Sequence, residues 1–254
     1  MLPQFTVDMI QRFVDLAVEA GQSILEIYDT DFKVRAKKDS SPVTEADKIA
    51  ETLILVGLND FTPNIPVVSE EAYSEGKRPD ISGGLFWLVD ALDGTKEFIN
   101  RRNEFTVNIA LIDNGLPIFG IVHAPAISQT FWGNSAGAFR KYGKNKKELI
   151  KARQPKKDGL VVLTSRSHST GENAFLNNYV VKKIINVGSS LKICRVASGE
   201  ADLYPRLGPT SEWDIAAGHA ILNAAGGSIT QIDGSSFLYG KNDIINPAFI
   251  AKGR

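Results

Sequence analysis

Cysteine is nearly absent from this 254-residue chain, in which Cys194 stands alone. A single thiol can neither close an internal disulfide nor build a thiolate metal centre, and a reducing compartment suits it best. Histidine is scarce as well, and His123, His168 and His219 show none of the short spacings of a zinc site. Neither sign of charge is in excess: 29 Lys and Arg balance 29 Asp and Glu. No global basic field therefore points to nucleic acid or an anionic membrane as the main partner. No apolar run reaches the ~20 residues that span a bilayer, and the opening Met1-Leu-Pro-Gln-Phe-Thr6 lacks the basic stretch and apolar core of a secretory signal. The expected location is the cytoplasm. Peripheral association with the cytoplasmic face of the inner membrane stays open, although nothing in the composition points to it, and the oligomeric state is not indicated.

What is present is an ordinary globular composition, 43% hydrophobic and 23% charged, in a chain long enough for one large domain or two lobes sharing a core. Apolar residues recur at helical spacing over 6–28 and again over 44–58. Segments 66–70 and 85–90 read as short buried strands, each ending in an acid. Segments 105–112, 116–123 and 129–141, with the turn Asn114-Gly115, alternate apolar runs and turn residues as an antiparallel meander does. The lysine-rich stretch 141–157, with Pro155, reads as a solvated connection and a lobe boundary. Beyond it, strands are expected at 160–163, 183–187 and 201–204, and helices near 173–179, 191–198 and 214–225. The expected fold is α/β: an α+β lobe with an antiparallel sheet over 1–150, and an α/β lobe over 151–254.

The segment richest in chemistry is Trp87-Leu-Val-Asp90-Ala-Leu-Asp93-Gly-Thr95-Lys-Glu97-Phe, an apolar strand ending in two acids. Two buried carboxylates this close repel unless something positive lies between them, and a divalent cation answers that need. The Leu92 carbonyl could add an oxygen, Gly94 lets backbone approach an anion, and Thr95 could open a helix facing it. Glu70 could reach the same ion as Asp90 if their strands are neighbours. Thr44-Glu-Ala-Asp47 matches a capping box, and taken by itself the cap explanation is the stronger. Asp214 sits in the first turn of an alanine-rich helix stopped by Gly226-Gly227, where the helix dipole alone would also account for it. The donors are all oxygen, which favours Mg²⁺ over zinc.

Asp39-Ser-Ser-Pro-Val-Thr44-Glu-Ala-Asp47, Ser69-Glu70-Glu71, the Trp87–Phe98 segment and Trp213-Asp214-Ile-Ala-Ala-Gly occur in an order and at separations that resemble the inositol monophosphatase superfamily. Gly94-Thr-Lys-Glu-Phe98, Ser165-Arg-Ser-His168, Gly188-Ser-Ser-Leu-Lys192 and Leu203-Tyr-Pro-Arg206-Leu-Gly-Pro209 look like its CysQ type, the 3'(2'),5'-bisphosphate nucleotidases. The resemblance implies a layered αβαβα sandwich and a lithium-sensitive hydrolase of sulfur metabolism that converts adenosine 3',5'-bisphosphate to AMP and phosphate. It further implies that Glu70, Asp90, the Leu92 carbonyl, Asp93 and Asp214 hold Mg²⁺, with Asp90 bridging, and that Asp47 and Thr95 orient and deprotonate the attacking water. Substrate contacts would fall to Glu70, Leu92, Asp93, Gly94, Thr95 and Asp214, to Ser189 and Lys192 near the ribose and 5'-phosphate, and to His168 and Arg206 in the nucleotide pocket. Ala91 stands where the family usually has proline, which removes a conformational lock while leaving the acids in register. For Lys192 a solvated helix lysine is an equal alternative, and for His168 a loop histidine bonded locally. Two other functions remain in view: an inositol or sugar monophosphatase, and a non-catalytic metal or nucleotide-binding module.

Overall fold

The computed structural model describes residues 5–36, 42–166 and 171–254. Helix α1 (Val7–Tyr28) is capped by Thr6, whose hydroxyl accepts the Met9 N–H at 3.2 Å. An antiparallel pair, β1 (Val34–Ala36) and β2 (Pro42–Thr44), leads into α2 (Glu45–Phe61). Next come β3 (Val67–Ser69), the short helix α3 (Glu70–Ser74), β4 (Leu85–Asp93) and the short helix α4 (Thr95–Ile99). The expected meander follows as β5 (Thr106–Asp113), β6 (Leu116–Ala124), β7 (Gln129–Asn134) and β8 (Gly137–Tyr142), and a further strand, β9 (Glu148–Ile150), comes after it. The remainder is β10 (Leu160–Ser165), α5 (Glu172–Leu176), β11 (Val181–Val187), α6 (Leu191–Ala197), β12 (Leu203–Arg206), α7 (Glu212–Ala224), β13 (Ser228–Gln231) and β14 (Phe249–Lys252).

Side-chain alternation along the strands builds the layers. In the sheet of order β3-β4-β5-β6-β7-β8-β9, Trp87, Val89, Ile109, Leu111 and Ile121 face α1 and α2, burying Phe13, Ile24 and Ile54. Their neighbours Phe86, Leu88, Ala110, Ile112 and Val122 face the other way and pack with α6 and α7. The second sheet, β11-β10-β12-β14-β13, covers the far side of those helices through Leu163, Tyr204 and Ala251. Its outer face, with Val162 and Leu203, is closed by Leu176 of α5. The result is the five-layer αβαβα sandwich. Helix α7 lies flush on the first sheet because β6 offers no side chain at Gly120, where a Cβ would stand 2.3 Å from the Ala217 carbonyl oxygen. The run Ala216-Ala-Gly218 is thus a packing surface, and it sets the height of Asp214 above the sheet.

Three expectations change. Strand β4 does not end at Asp90 but continues to Asp93. The lysine-rich stretch is more than a connection, since β9 within it pairs with β8 as the last strand of the first sheet. Strands β13 and β14 had no counterpart in the sequence pattern, because they are four-residue pieces ordered by long-range pairing, β14 with β12 and β13 with β14. Among the described residues, no helix is long and apolar enough to cross a membrane.

Candidate active site

The site is built at one end of β3 and β4. These strands run parallel, with Ser69 beside Val89, so Glu70, directly after the end of β3, comes next to Asp90, where β4 runs on. In a regular strand two residues three apart face opposite sides. Here Asp90 pairs with Asn108 and Asp93 with Thr106, so β4 carries one residue more than β5 between the two pairings. That bulge turns both acids to one face, and the Leu92 N–H closes it by donating to Asp90 Oδ1 at 3.0 Å. It forms with Ala91 at the position where proline was expected. Gly94 then adopts φ 89°, a left-handed conformation suited to glycine, and Thr95 starts α4.

Two helix starts supply the remaining acids. At α2, Asp47 Oδ2 accepts both the N–H and the hydroxyl of Thr44, each at 2.7 Å, while Oδ1 receives the Thr95 hydroxyl at 3.4 Å. The same hydroxyl also lies 3.2 Å from the Leu92 carbonyl oxygen; with one proton it can serve only one of these acceptors at a time. At α7, Asp214 Oδ2 accepts the Ser211 N–H at 2.8 Å. Glu70, Asp90 and Asp214 each place a carboxylate oxygen so that all three lie within 4.8 Å of one another, a group that could hold a metal ion. Asp93 is outside this trio and accepts the Ser190 N–H at 2.6 Å and the Asn108 amide at 3.4 Å.

Electrostatics agrees with a cation site. Burial, with the charges of Asp93 and Glu70, pushes the Asp214 carboxyl well above the usual carboxylate range. Burial likewise raises Asp93 to about 6, against the opposing charge of Lys192. Closely set, partly desolvated acids of this kind are relieved by a divalent cation, and an all-oxygen donor set fits a hard ion.

A cleft of about 390 Å³ runs from these acids to the second sheet, lined on the far side by Ser189, Lys192, Tyr204 and Arg206. Lys192 is buried, so the solvated-lysine reading is overturned: its ammonium donates to the carbonyls of Ser189 at 2.6 Å and Val187 at 3.2 Å. Burial, opposed by Asp93, lowers its pKa to about 8. The Arg206 guanidinium donates to Ser165 Oγ at 2.8 Å and to the carbonyls of Gly208 at 3.1 Å and Pro209 at 2.9 Å, which shapes the chain entering α7. His168 lies outside the described residues, as does the Asp39-Ser-Ser41 part of the first motif. Sequence reasoning missed the buried polar network behind Asp93, in which Ser190 Oγ meets Asn108 Oδ1 at 2.7 Å and Thr106 Oγ1 at 2.9 Å. Its signal was present: Thr106 and Asn108 are polar residues two apart in a strand otherwise apolar up to its last residue, Asp113.

The Inositol monophosphatase family matches residues 7–253. A 3'(2'),5'-bisphosphate nucleotidase CysQ of Salmonella typhimurium is 42% identical over 249 residues, covering 95% of this chain and 98% of that protein. Its counterpart in Buchnera aphidicola is 40% identical over 258 residues, covering 96% and 93%. Among solved structures, CysQ from Bacteroides thetaiotaomicron superposes with a TM-score of 0.81 at 37% identity, covering 96% of each chain. A Thermotoga maritima inositol monophosphatase gives a TM-score of 0.80 at 26% identity, covering 97% of this chain and 92% of that one. With the family matching nearly end to end and the acids gathered where two parallel strands and two helix starts meet, the chain belongs to the inositol monophosphatase family.

Proposed function

We propose that this chain is a Mg²⁺-dependent phosphatase that removes the 3'-phosphate of adenosine 3',5'-bisphosphate to give AMP and phosphate, using water directly and no covalent phosphoenzyme. The observation that carries the reading is the convergence of Glu70, Asp90 and Asp214 at one end of a cleft whose opposite wall holds the buried cation Lys192. Near-full-length similarity to bisphosphate nucleotidases supports the choice of substrate. Glu70, Asp90, Asp93, Asp214 and the Leu92 carbonyl would hold magnesium. When bound, the metal supplies Lewis-acid polarisation of the phosphoryl group and neutralises charge on the leaving oxygen.

The chain's own residues do the rest. Thr95, by giving its proton to Asp47 Oδ1, turns a lone pair outward to take a proton from the attacking water, and Asp47 stays oriented through its two bonds from Thr44. Ser189, Lys192, Arg206 and His168 take the nucleotide side, where a fixed ammonium meets a second phosphate that an inositol monophosphate lacks. In this reading residues 1–150 form the metal-binding lobe and 151–254 the substrate lobe, and the enzyme works in the cytoplasm.

A phosphate-release panel tests the reading: adenosine 3',5'-bisphosphate against inositol 1-phosphate, each with Mg²⁺ and with chelator. The bisphosphate should be preferred in kcat/KM, and chelation should abolish turnover. A preference for inositol 1-phosphate would move the protein to the sugar monophosphatases, and turnover that survives chelation would remove the metal from the mechanism.

A further inference from the structure

Ser189 is a non-glycine residue in the left-handed region, with φ 49°. Such a conformation persists where its surroundings over-determine it, and here a carboxylate grips the backbone on each side. The Ser190 N–H donates to Asp93 Oδ2 at 2.6 Å, and the Gly188 N–H donates to Glu104 Oε2 at 2.9 Å. Asp93 belongs to the acid wall already described. Glu104 stands apart from it, in the turn between α4 and β5, and it reaches further. Arg166, directly after β10, donates through Nε to Glu104 Oε2 at 2.8 Å and through Nη2 to Oε1 at 2.9 Å, and Nη2 also meets the Asn186 carbonyl of β11 at 2.8 Å. One carboxylate therefore joins the ends of β10 and β11 to the first half of the chain. The fit is close: a Cβ on Gly188 would stand 2.7 Å from the Glu104 carbonyl oxygen. Burial pushes the Glu104 carboxyl up, but Arg166 and the Gly188 N–H outweigh it and hold the group below the usual carboxylate range.

We propose that Glu104, locked by Arg166, is a positioning residue for substrate recognition, holding Gly188 and Ser189 so that Ser189 and Lys192 meet the second phosphate of the nucleotide. Lys192 follows Ser189 because its ammonium is bonded to the Ser189 carbonyl at 2.6 Å. The inference rests on the bisphosphate reading of the cleft. The acid wall does not use the Glu104 side chain, so chemistry on a nucleotide with no 5'-phosphate depends on it much less.

The experiment compares wild type with Glu104→Ala, Glu104→Gln, Arg166→Ala and the double alanine variant in the full chain. Steady-state kinetics at saturating Mg²⁺ would be measured on adenosine 3',5'-bisphosphate and adenosine 3'-monophosphate, with calorimetric binding of AMP alongside. Glu104→Ala should raise KM for the bisphosphate and Kd for AMP roughly tenfold, with kcat within about twofold and the monophosphate little affected. The double variant should be no worse than either single one, as expected for a pair acting as a unit. Glu104→Gln should recover part of the loss, because its amide oxygen still accepts from Gly188, and it serves as the readout if the alanine variant melts early. Unchanged KM and AMP affinity in a folded variant would overturn the inference, as would equal losses on both nucleotides. A wild type inactive on the bisphosphate would instead overturn the function reading, and this inference with it.

Discussion

Helices α2 and α7 begin with the same local grammar, a hydroxyl residue followed three positions later by aspartate, and both form capping boxes. In each, one carboxylate oxygen closes the cap: Asp47 Oδ2 on Thr44, Asp214 Oδ2 on Ser211. The difference lies in what faces the acid. Asp47 meets the hydroxyl of Thr95, whereas Asp214 meets the carboxylates of Glu70 and Asp90. A capped aspartate is thus an aimed group that faces a hydroxyl in one case and two carboxylates in the other, which in the proposed mechanism become proton handling and cation binding.

The sharpest way to break this comparison is to neutralise each aspartate while keeping its cap. Asp214→Asn retains an oxygen for the Ser211 N–H, so the helix should stay formed while Mg²⁺ affinity collapses and kcat/KM falls on the order of 10³-fold. Calorimetric Mg²⁺ titration beside the kinetics checks it, and wild-type metal binding would remove Asp214 from the ligand set. Asp47→Asn should instead lower kcat on the order of 10²-fold with Mg²⁺ affinity nearly unchanged. Adding Thr95→Ala to it should cost little more, and additive losses would show that the two do not act as a pair.

A smaller effect separates the sides by pH in metal-free protein. Folded Asp93 titrates near 6 rather than 3.8, so between those values the folded state keeps a proton that the unfolded chain has lost. Stability is therefore greater below this window and declines as pH rises through about 6. The full shift corresponds to at most about 3 kcal/mol. Asp93→Asn should accordingly be the more stable protein in chelator at pH 7, with the gap closing towards pH 4 in urea melts, and saturating Mg²⁺ should reverse the order. A gap that does not depend on pH would refute the burial penalty.

The smallest test removes the caps themselves. Thr44→Ala and Ser211→Ala should each cost about 1 kcal/mol, and Thr44→Ala should cost somewhat more because its hydroxyl donates to the buried Asp47. Urea melts giving the larger loss to Ser211→Ala would contradict the geometry at α2.

Local patterns made much of this molecule legible. Period 3.6 marked α1 and α2, period 2 with Asn114-Gly115 marked the meander, and the strand–acid motifs marked Glu70, Asp90 and Asp93, because backbone geometry makes each of these signals short-range. Tertiary structure decided the rest. Parallel pairing of β3 with β4 put Glu70 beside Asp90, and a one-residue bulge put Asp93 on the same face. The flush seat of α7 at Gly120 set the height of Asp214. The burial of Lys192, and the reach of Glu104 to Gly188 and Arg166 across more than 60 positions of sequence, left no local trace. A lysine on a seven-residue helix looks solvated until a second sheet covers it, and a carboxylate in a turn has no visible partner until the chain returns from far away.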